Sequence, residues 1–300
     1  MEFKGWLRFI LLGLIWGGAF AWIKIGVREV PPLTLVLLRS LIAAAALGGY
    51  LAVKKIPLPV RKYALVFLVL GFLNIALPFS LVAWAEKHIP SGMASVLNAT
   101  TPLWTIFIAP LFIRAERITP LRVFGLLLGF AGVVILLSNR LNNSGGDYRL
   151  GVAAMLTATL AYAVAAVIAR RHTAGLQPEA QAVGQTLGAA VLLLPAAAWY
   201  DAPLRLPQQP LTWAALLYLG LLATSLAVTL YFALIHSAGP TQTTMVAYLV
   251  ALVGVTLGTL LLDEPFNLNM LLGTLMIIGG ITLVNQHSAV FWRKHGTKST

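Results

Sequence analysis

Apolar residues come in runs of about twenty, separated by short polar punctuation. Read that way, the chain falls into ten segments, at 6–27, 33–53, 63–85, 91–113, 121–138, 150–169, 180–200, 212–235, 241–262 and 268–286. About twenty apolar residues, each rising 1.5 Å, cover the ~30 Å of hydrocarbon in a bilayer, so each segment is read as a membrane-spanning helix. The predicted fold class is an all-α membrane protein of ten transmembrane helices. The first segment also has the look of a secretory signal: Lys4 and Arg8, an apolar stretch, then the run from Gly17 to Ala21. Cleavage there would leave nine spans and remove one member of the repeat described below, so the segment is read as the first span.

Composition sharpens this picture. The chain is 59% hydrophobic and 10% charged, where soluble proteins carry about 25% charged residues. It has no cysteine, which excludes disulfides, thiolate catalysis and thiolate-bound metals; no metal or cofactor is expected. A net charge of +12 could point to nucleic acid, but the basic residues cluster in short loops between apolar runs. Fourteen of the 21 lie on the side of both termini (Lys54, Lys55, Arg61, Lys62, Arg170 and Arg171 among them), and Arg28, Lys87, Arg140, Arg149 and Arg205 lie on the other. Basic loops stay cytoplasmic, so both termini are predicted inside. The implied partners are a lipid bilayer and a small-molecule substrate, not nucleic acid; oligomeric state is open, and a monomer would suffice.

An internal repeat follows. Shifting the chain by 146 lays Trp16 on Tyr162, Lys24 on Arg170, Pro32 on Pro178 and Arg39 on Gln185. Shifting by 148 lays His88 on His236, Glu116 on Glu264, Gly125 on Gly273 and Gly132 on Gly280. Two five-helix repeats, 1–140 and 148–287, are read from this, joined by the polar NRLNNSGGDYR and followed by a basic cytoplasmic tail, 288–300. Five is odd, so the second repeat enters from the opposite face. Inverted repeats let a transporter alternate between inward-open and outward-open shapes around a midplane site.

The stretches LLGLIWGGAFAWIKIG, PPLTLVLLRSLIAA, NATTPLWTIFIAPLFIRAERITPLRVFGLLLGFAGVVIL and its echo VGVTLGTLLLDEPFNLNMLLGTLMIIGGITL resemble the two EamA domains of the drug/metabolite transporter superfamily. The resemblance covers nearly the whole chain. It implies ten helices in inverted repeats, a central cavity, residence in a bacterial inner membrane, and export of small metabolites such as amino acids, aromatic or hydrophobic ones included. It does not imply one substrate. Gln185 stands where the first half has Arg39, so the cavity would not be electrically symmetric.

Within the spans, Arg39 is the residue that most needs an explanation. It sits about 10 Å along span two, too deep for easy snorkelling. It is either a structural tie to carbonyls freed in a neighbouring helix or the grip on a substrate carboxylate. Lys24, nearer a boundary, can snorkel. Every Asp and Glu, Glu86 included, falls at or beyond a predicted span end, so no buried carboxylate is expected to relay protons. A facilitator or uniporter is therefore expected, with a proton-coupled antiporter as the alternative.

A midplane cavity must then be lined by uncharged groups. Trp16 and Tyr162, equivalent in the two repeats, are expected on opposing walls, since aromatic faces hold rings or cations. Asn74 and Pro78 in span three, and Asn98, Thr101 and Trp104 in span four, are candidates. Thr224, Ser225 and Tyr231 in span eight and Tyr248 in span nine complete the substrate-binding set. Pro78, Pro102 and Pro110 free carbonyls within helices. The pairs Gly13/Gly17, Gly125/Gly129, Gly184/Gly188 and Gly254/Gly258 let helices approach closely. Glu116 and Glu264 are expected to favour the starts of the helices that follow them. A membrane enzyme is the rival class, but H-E-x-x-H, G-x-S-x-G and a Gly-rich phosphate loop are all missing from the sequence, and no catalytic residue is expected.

Overall fold

The computed structural model describes residues 3–112, 120–141, 146–173, 175–204, 206–238 and 246–295, and among these there is no strand. Proline opens several helices, because a residue at the first helical position needs no amide proton. The first half contains α1 (Phe3–Gly26), α2 (Pro32–Lys54), α3 (Val60–Gly71), a π-helical stretch Phe72–Ala76, α4 (Leu77–His88), α5 (Ser91–Asn98), α6 (Thr101–Phe112) and α7 (Pro120–Leu141). The second contains α8 (Gly146–His172), α9 (Pro178–Tyr200), α10 (Pro210–Leu217), a π-helical stretch Tyr218–Leu226, α11 (Ala227–Ala238), α12 (Val246–Leu262) and α13 (Leu268–His295).

Among the described residues, six stretches are long and apolar enough to cross a membrane: Phe3–Gly26, Pro32–Lys54, Val60–His88, Gly146–His172, Pro178–Tyr200 and Pro210–Tyr231. Val123–Leu136, Val246–Leu262 and Leu268–Leu283 are shorter apolar helices. The predicted span 91–113 is divided, because α5 ends at Asn98 and α6 begins at Thr101. Pro102 therefore occupies the first turn of a new helix, where its missing N–H costs nothing, and does not interrupt a continuous one. The outside of the bundle is apolar, with Leu65, Val191, Leu260 and Leu261 each more than 60% exposed. Such a surface calls for lipid. Trp199 and Tyr200, exposed at the end of α9, suit a membrane–water interface.

One buried apolar cluster draws on both halves, from Leu12 to Ile281. Glycines set the closest approaches. A Cβ on Gly132 would lie 2.8 Å from the Gly273 carbonyl, and one on Gly273 would lie 2.7 Å from the Gly132 carbonyl. Gly280 likewise meets the Gly125 carbonyl. The contact of Gly132 with Gly273 thus repeats as Gly280 with Gly125 under the 148-residue shift, with α7 and α13 running antiparallel.

Carboxylates tie the halves together at one end of the bundle, called here the 27–31 end. Asp201, closing α9, accepts from the Thr34 amide at 2.7 Å and its hydroxyl at 2.8 Å, at the start of α2. Glu29, before α2, accepts from the Gln208 and Gln209 amides at 2.6 and 3.1 Å, at the start of α10. Glu264 accepts from Ser91 and Gly92 amides at 2.6 and 2.8 Å. It therefore caps α5, across the bundle, not the helix that follows it, because two free amides of α5 point at it. Glu116 lies outside the described residues.

Candidate functional site

The two π-helical stretches occupy matching places in the two halves and carry Asn74, Thr224 and Ser225. An extra residue per turn breaks the α-helical ladder, and such insertions recur at functional sites. Within the second, Thr224 and Ser225 turn their hydroxyls back to the carbonyls five residues earlier, Leu219 at 2.8 Å and Gly220 at 2.9 Å. Pro78, buried in the first turn of α4 directly after the first π stretch, cannot donate an amide there, which suits the transition.

Each stretch meets the deep polar residue of the other half. Arg39, 6% exposed on α2, donates from Nε to Thr224 Oγ1 at 3.0 Å. Its guanidinium lies 4.0 Å from the centre of the Phe79 ring, and that ring meets Tyr162 of α8 edge-on at 6.3 Å. Across the pseudo-symmetric position, Asn74 Nδ2 donates to Gln185 Oε1 at 3.1 Å. No backbone carbonyl holds Arg39: among the described residues, its two Nη groups make no hydrogen bond. A guanidinium at this depth with its fork open can grip a carboxylate with two parallel bonds.

The other expected residues fall around this pair. Trp16 donates from its indole to the Ala223 carbonyl at 3.1 Å, within the second π stretch, and its ring packs on Tyr231 of α11 at 5.6 Å. Trp16 and Tyr162 thus have different aromatic neighbours, Tyr231 and Phe79. Trp104 donates to Thr159 Oγ1 at 3.0 Å, one turn before Tyr162 on α8, and packs edge-on against Phe130 at 5.0 Å. Thr101 bonds the Asn98 carbonyl at 2.8 Å, so these two seal the break between α5 and α6. The Tyr248 and Thr282 hydroxyls lie 3.2 Å apart, joining α12 to α13. Phe79 was not foreseen, since an apolar residue in an apolar run carries no signal. Gln185 was foreseen only as Arg39's counterpart; its partner Asn74 is fixed by the fold.

A second polar cluster lies at the 27–31 end. Lys24 does not snorkel: its ammonium donates to the Glu86 and Ile89 carbonyls, the latter at 2.9 Å, capping the end of α4 where a cation is favoured. Glu86 lies inside α4, which runs to His88, past the predicted boundary at 85. It is fully buried, and among the described residues neither of its carboxylate oxygens has a hydrogen-bond partner. The expectation that no acid is buried in a span fails here, because α4 runs on to His88 and packs Glu86 inside the bundle. A cavity of about 320 Å³ opens beside this cluster, lined by Lys24, His88, Tyr148 and Glu264 among others.

Comparison with known proteins points one way. The EamA-like transporter family model matches twice, over residues 3–138 and 149–286. The chain is 30% identical over 285 residues to "Uncharacterized inner membrane transporter YedA" of Escherichia coli strain K12, covering 93% of this chain and 90% of the relative. It is 26% identical to "Uncharacterized transporter YoaV" of Bacillus subtilis strain 168, covering 93% and 95%. A solved structure described as "Crystal structure of protein" superposes with a TM-score of 0.70 at 20% identity, covering 97% of this chain and 99% of the other; it shares the fold.

Proposed function

Because the chain belongs to the EamA-like transporter family, we propose that it exports small carboxylate-bearing metabolites, foremost amino acids, by alternating access around Arg39. The observation that carries this reading is the open Nη fork of a buried guanidinium of which, among the described residues, only Nε is hydrogen-bonded. A charge at that depth is costly to insert, by at least ~2.5 kcal/mol, and Thr224 with the Phe79 face offsets only part of it. A substrate carboxylate would complete the set. The aromatic rings nearby, Phe79 and Tyr162 beside Arg39 and Trp16 on Tyr231, suit an apolar or aromatic side chain. Ten spans in two inverted repeats, with both termini in the cytoplasm, accord with the basic-loop asymmetry and with the mirrored contacts of Gly132 and Gly280.

The carrier works as a facilitator in this reading: substrate binds Arg39 from one side and leaves when the halves rock about it. Proton coupling is the second reading, favoured by the burial of Glu86. Flux across sealed liposomes tests the substrate class. Labelled amino acids should exchange across the membrane at equal pH on both sides, and the corresponding amines without a carboxylate should not. Equal flux of acid and amine would remove Arg39 from recognition, and no flux without a proton gradient would favour the second reading.

A further inference from the structure

Four elements converge at the 27–31 end. Lys24 of α1 holds the carbonyls at the end of α4, and Glu264, between α12 and α13, holds the first amides of α5. These ties close that end over Glu86, whose carboxyl is fully buried with no hydrogen-bond partner on either oxygen among the described residues. A bare carboxylate is badly placed in such a site, whereas a protonated one is tolerable. Opening the end would bring water to it. In the second half the same shift puts Leu234 at this position, and it too is fully buried. At this pair of equivalent positions the acid is present in the first half and an apolar side chain in the second.

We propose that Glu86 is a proton-binding site that governs opening of the 27–31 end. Loaded, it keeps the end closed. When its O–H bond breaks, the proton passes to water on that side, the electron pair stays on the carboxylate, and the open, hydrated state is favoured; reloading reverses this. The charged groups facing Glu86 are Lys24 from α1, backed by Arg28, and Glu264 from the α12–α13 connection. On its own helix, Lys87 and His88 follow it, the His88 ring lying 4.5 Å from that of Trp84. From α8, Asp147 and Arg149 are exposed at this end, and buried Tyr148 donates to Met93 Sδ at 2.9 Å. α2 brings Arg39, deeper in the bundle, with Tyr50 and Lys54 near its far end, and α5 brings no titratable side chain.

This inference rests on the alternating-access reading but not on the substrate. Because the chain has no cysteine, a single introduced thiol reports access. Ser95→Cys is nearly isosteric and lies one turn below the Glu264 tie, fully buried. Gly146→Cys, where a Cβ meets nothing within 4 Å, reports the intrinsic pH dependence of an exposed thiol. A membrane-impermeant maleimide is applied to intact cells between pH 5.5 and 8. The labelling rate of Ser95→Cys relative to Gly146→Cys should rise about tenfold with pH, and Glu86→Gln should hold that ratio low and flat. A ratio independent of pH in the native background overturns the proposal even if Glu86→Gln fails to fold. So does a rise that survives Glu86→Gln, or one that His88→Gln abolishes. A pH-dependent ratio without carboxylate-selective flux would sink the substrate reading and leave this one standing.

Discussion

Arg39 donates to the hydroxyl of Thr224, 3.0 Å away and 185 positions along the chain. Its counterpart Gln185 accepts from Asn74 at 3.1 Å. Each bond joins the second long helix of one half to the π-helical stretch of the other, so the halves meet through two related polar contacts, one charged and one neutral. A binding site at that seam would sense any movement of one half against the other, because that movement must alter both contacts.

Arg39→Lys separates recognition from support. Lysine keeps the charge but loses the planar fork and the Nε donor. The variant should insert and fold, with transport affinity falling tenfold or more, about 1.4 kcal/mol. Liposome flux against substrate concentration measures this, and the unfolding midpoint in detergent is read in parallel. A variant that loses stability while transporting with native affinity would make Arg39 a structural tie.

The neutral pair should behave as a coupled unit. Gln185→Leu leaves Asn74 with an unmet donor, a cost of about 1–3 kcal/mol, whereas removing both partners is nearly neutral. The double variant Gln185→Leu, Asn74→Leu should therefore be more stable than Gln185→Leu alone. Additive losses in a double-mutant cycle would show that the 3.1 Å bond contributes nothing of its own.

Much of this was legible in residue order, and the reasons differ by residue. The repeat could be read because Pro32, Arg39 and Gly132 are rare punctuation in apolar runs, and their partners recur at a nearly constant shift. The break at Ala99–Thr100 was masked: Asn98, Thr100 and Pro102 signal a helix boundary, but inside a membrane-length run they read equally as a kink within one span. The π-helical stretches were hidden too, although the shift that equates Asn74 with Thr224 is 150, where Arg39 and Gln185 are 146 apart. Lys24 and Glu264 were seen at boundaries, but their partners lie 62 to 173 positions away, and only packing identifies them.

Glu29 gives a pH signature at the 27–31 end. The Thr212 hydroxyl and the Gln208 amide hold its carboxyl below the ordinary value of 4.5. A depressed carboxyl contributes stability above its unfolded value, and that contribution is lost as pH falls through the folded one. The difference in unfolding midpoint between the native chain and Glu29→Gln should be full at neutral pH and shrink as pH drops below 4.5. A difference that persists unchanged in acid would mean the carboxylate charge is not what ties the start of α10.

The glycine seam between α7 and α13 offers the sharpest contrast. A methyl on Gly132 would sit 2.8 Å from the Gly273 carbonyl and 2.9 Å from the Ile277 amide, both backbone atoms that cannot rotate away. Gly132→Ala must therefore push the helices apart, a cost of about 1–3 kcal/mol. Gly49, in the interior of α2, meets nothing within 4 Å, and there alanine restricts only the unfolded chain and should be neutral or stabilising by about 0.4–1 kcal/mol. Because Gly132 and Gly273 meet each other, Gly273→Ala should cost much the same, and the pair together less than the sum, since one displacement relieves both clashes. Unfolding midpoints in detergent for the four variants decide it. If Gly132→Ala is tolerated as well as Gly49→Ala, the two helices do not approach backbone to backbone at this point, and the mirrored contact of Gly125 with Gly280 loses its support as well.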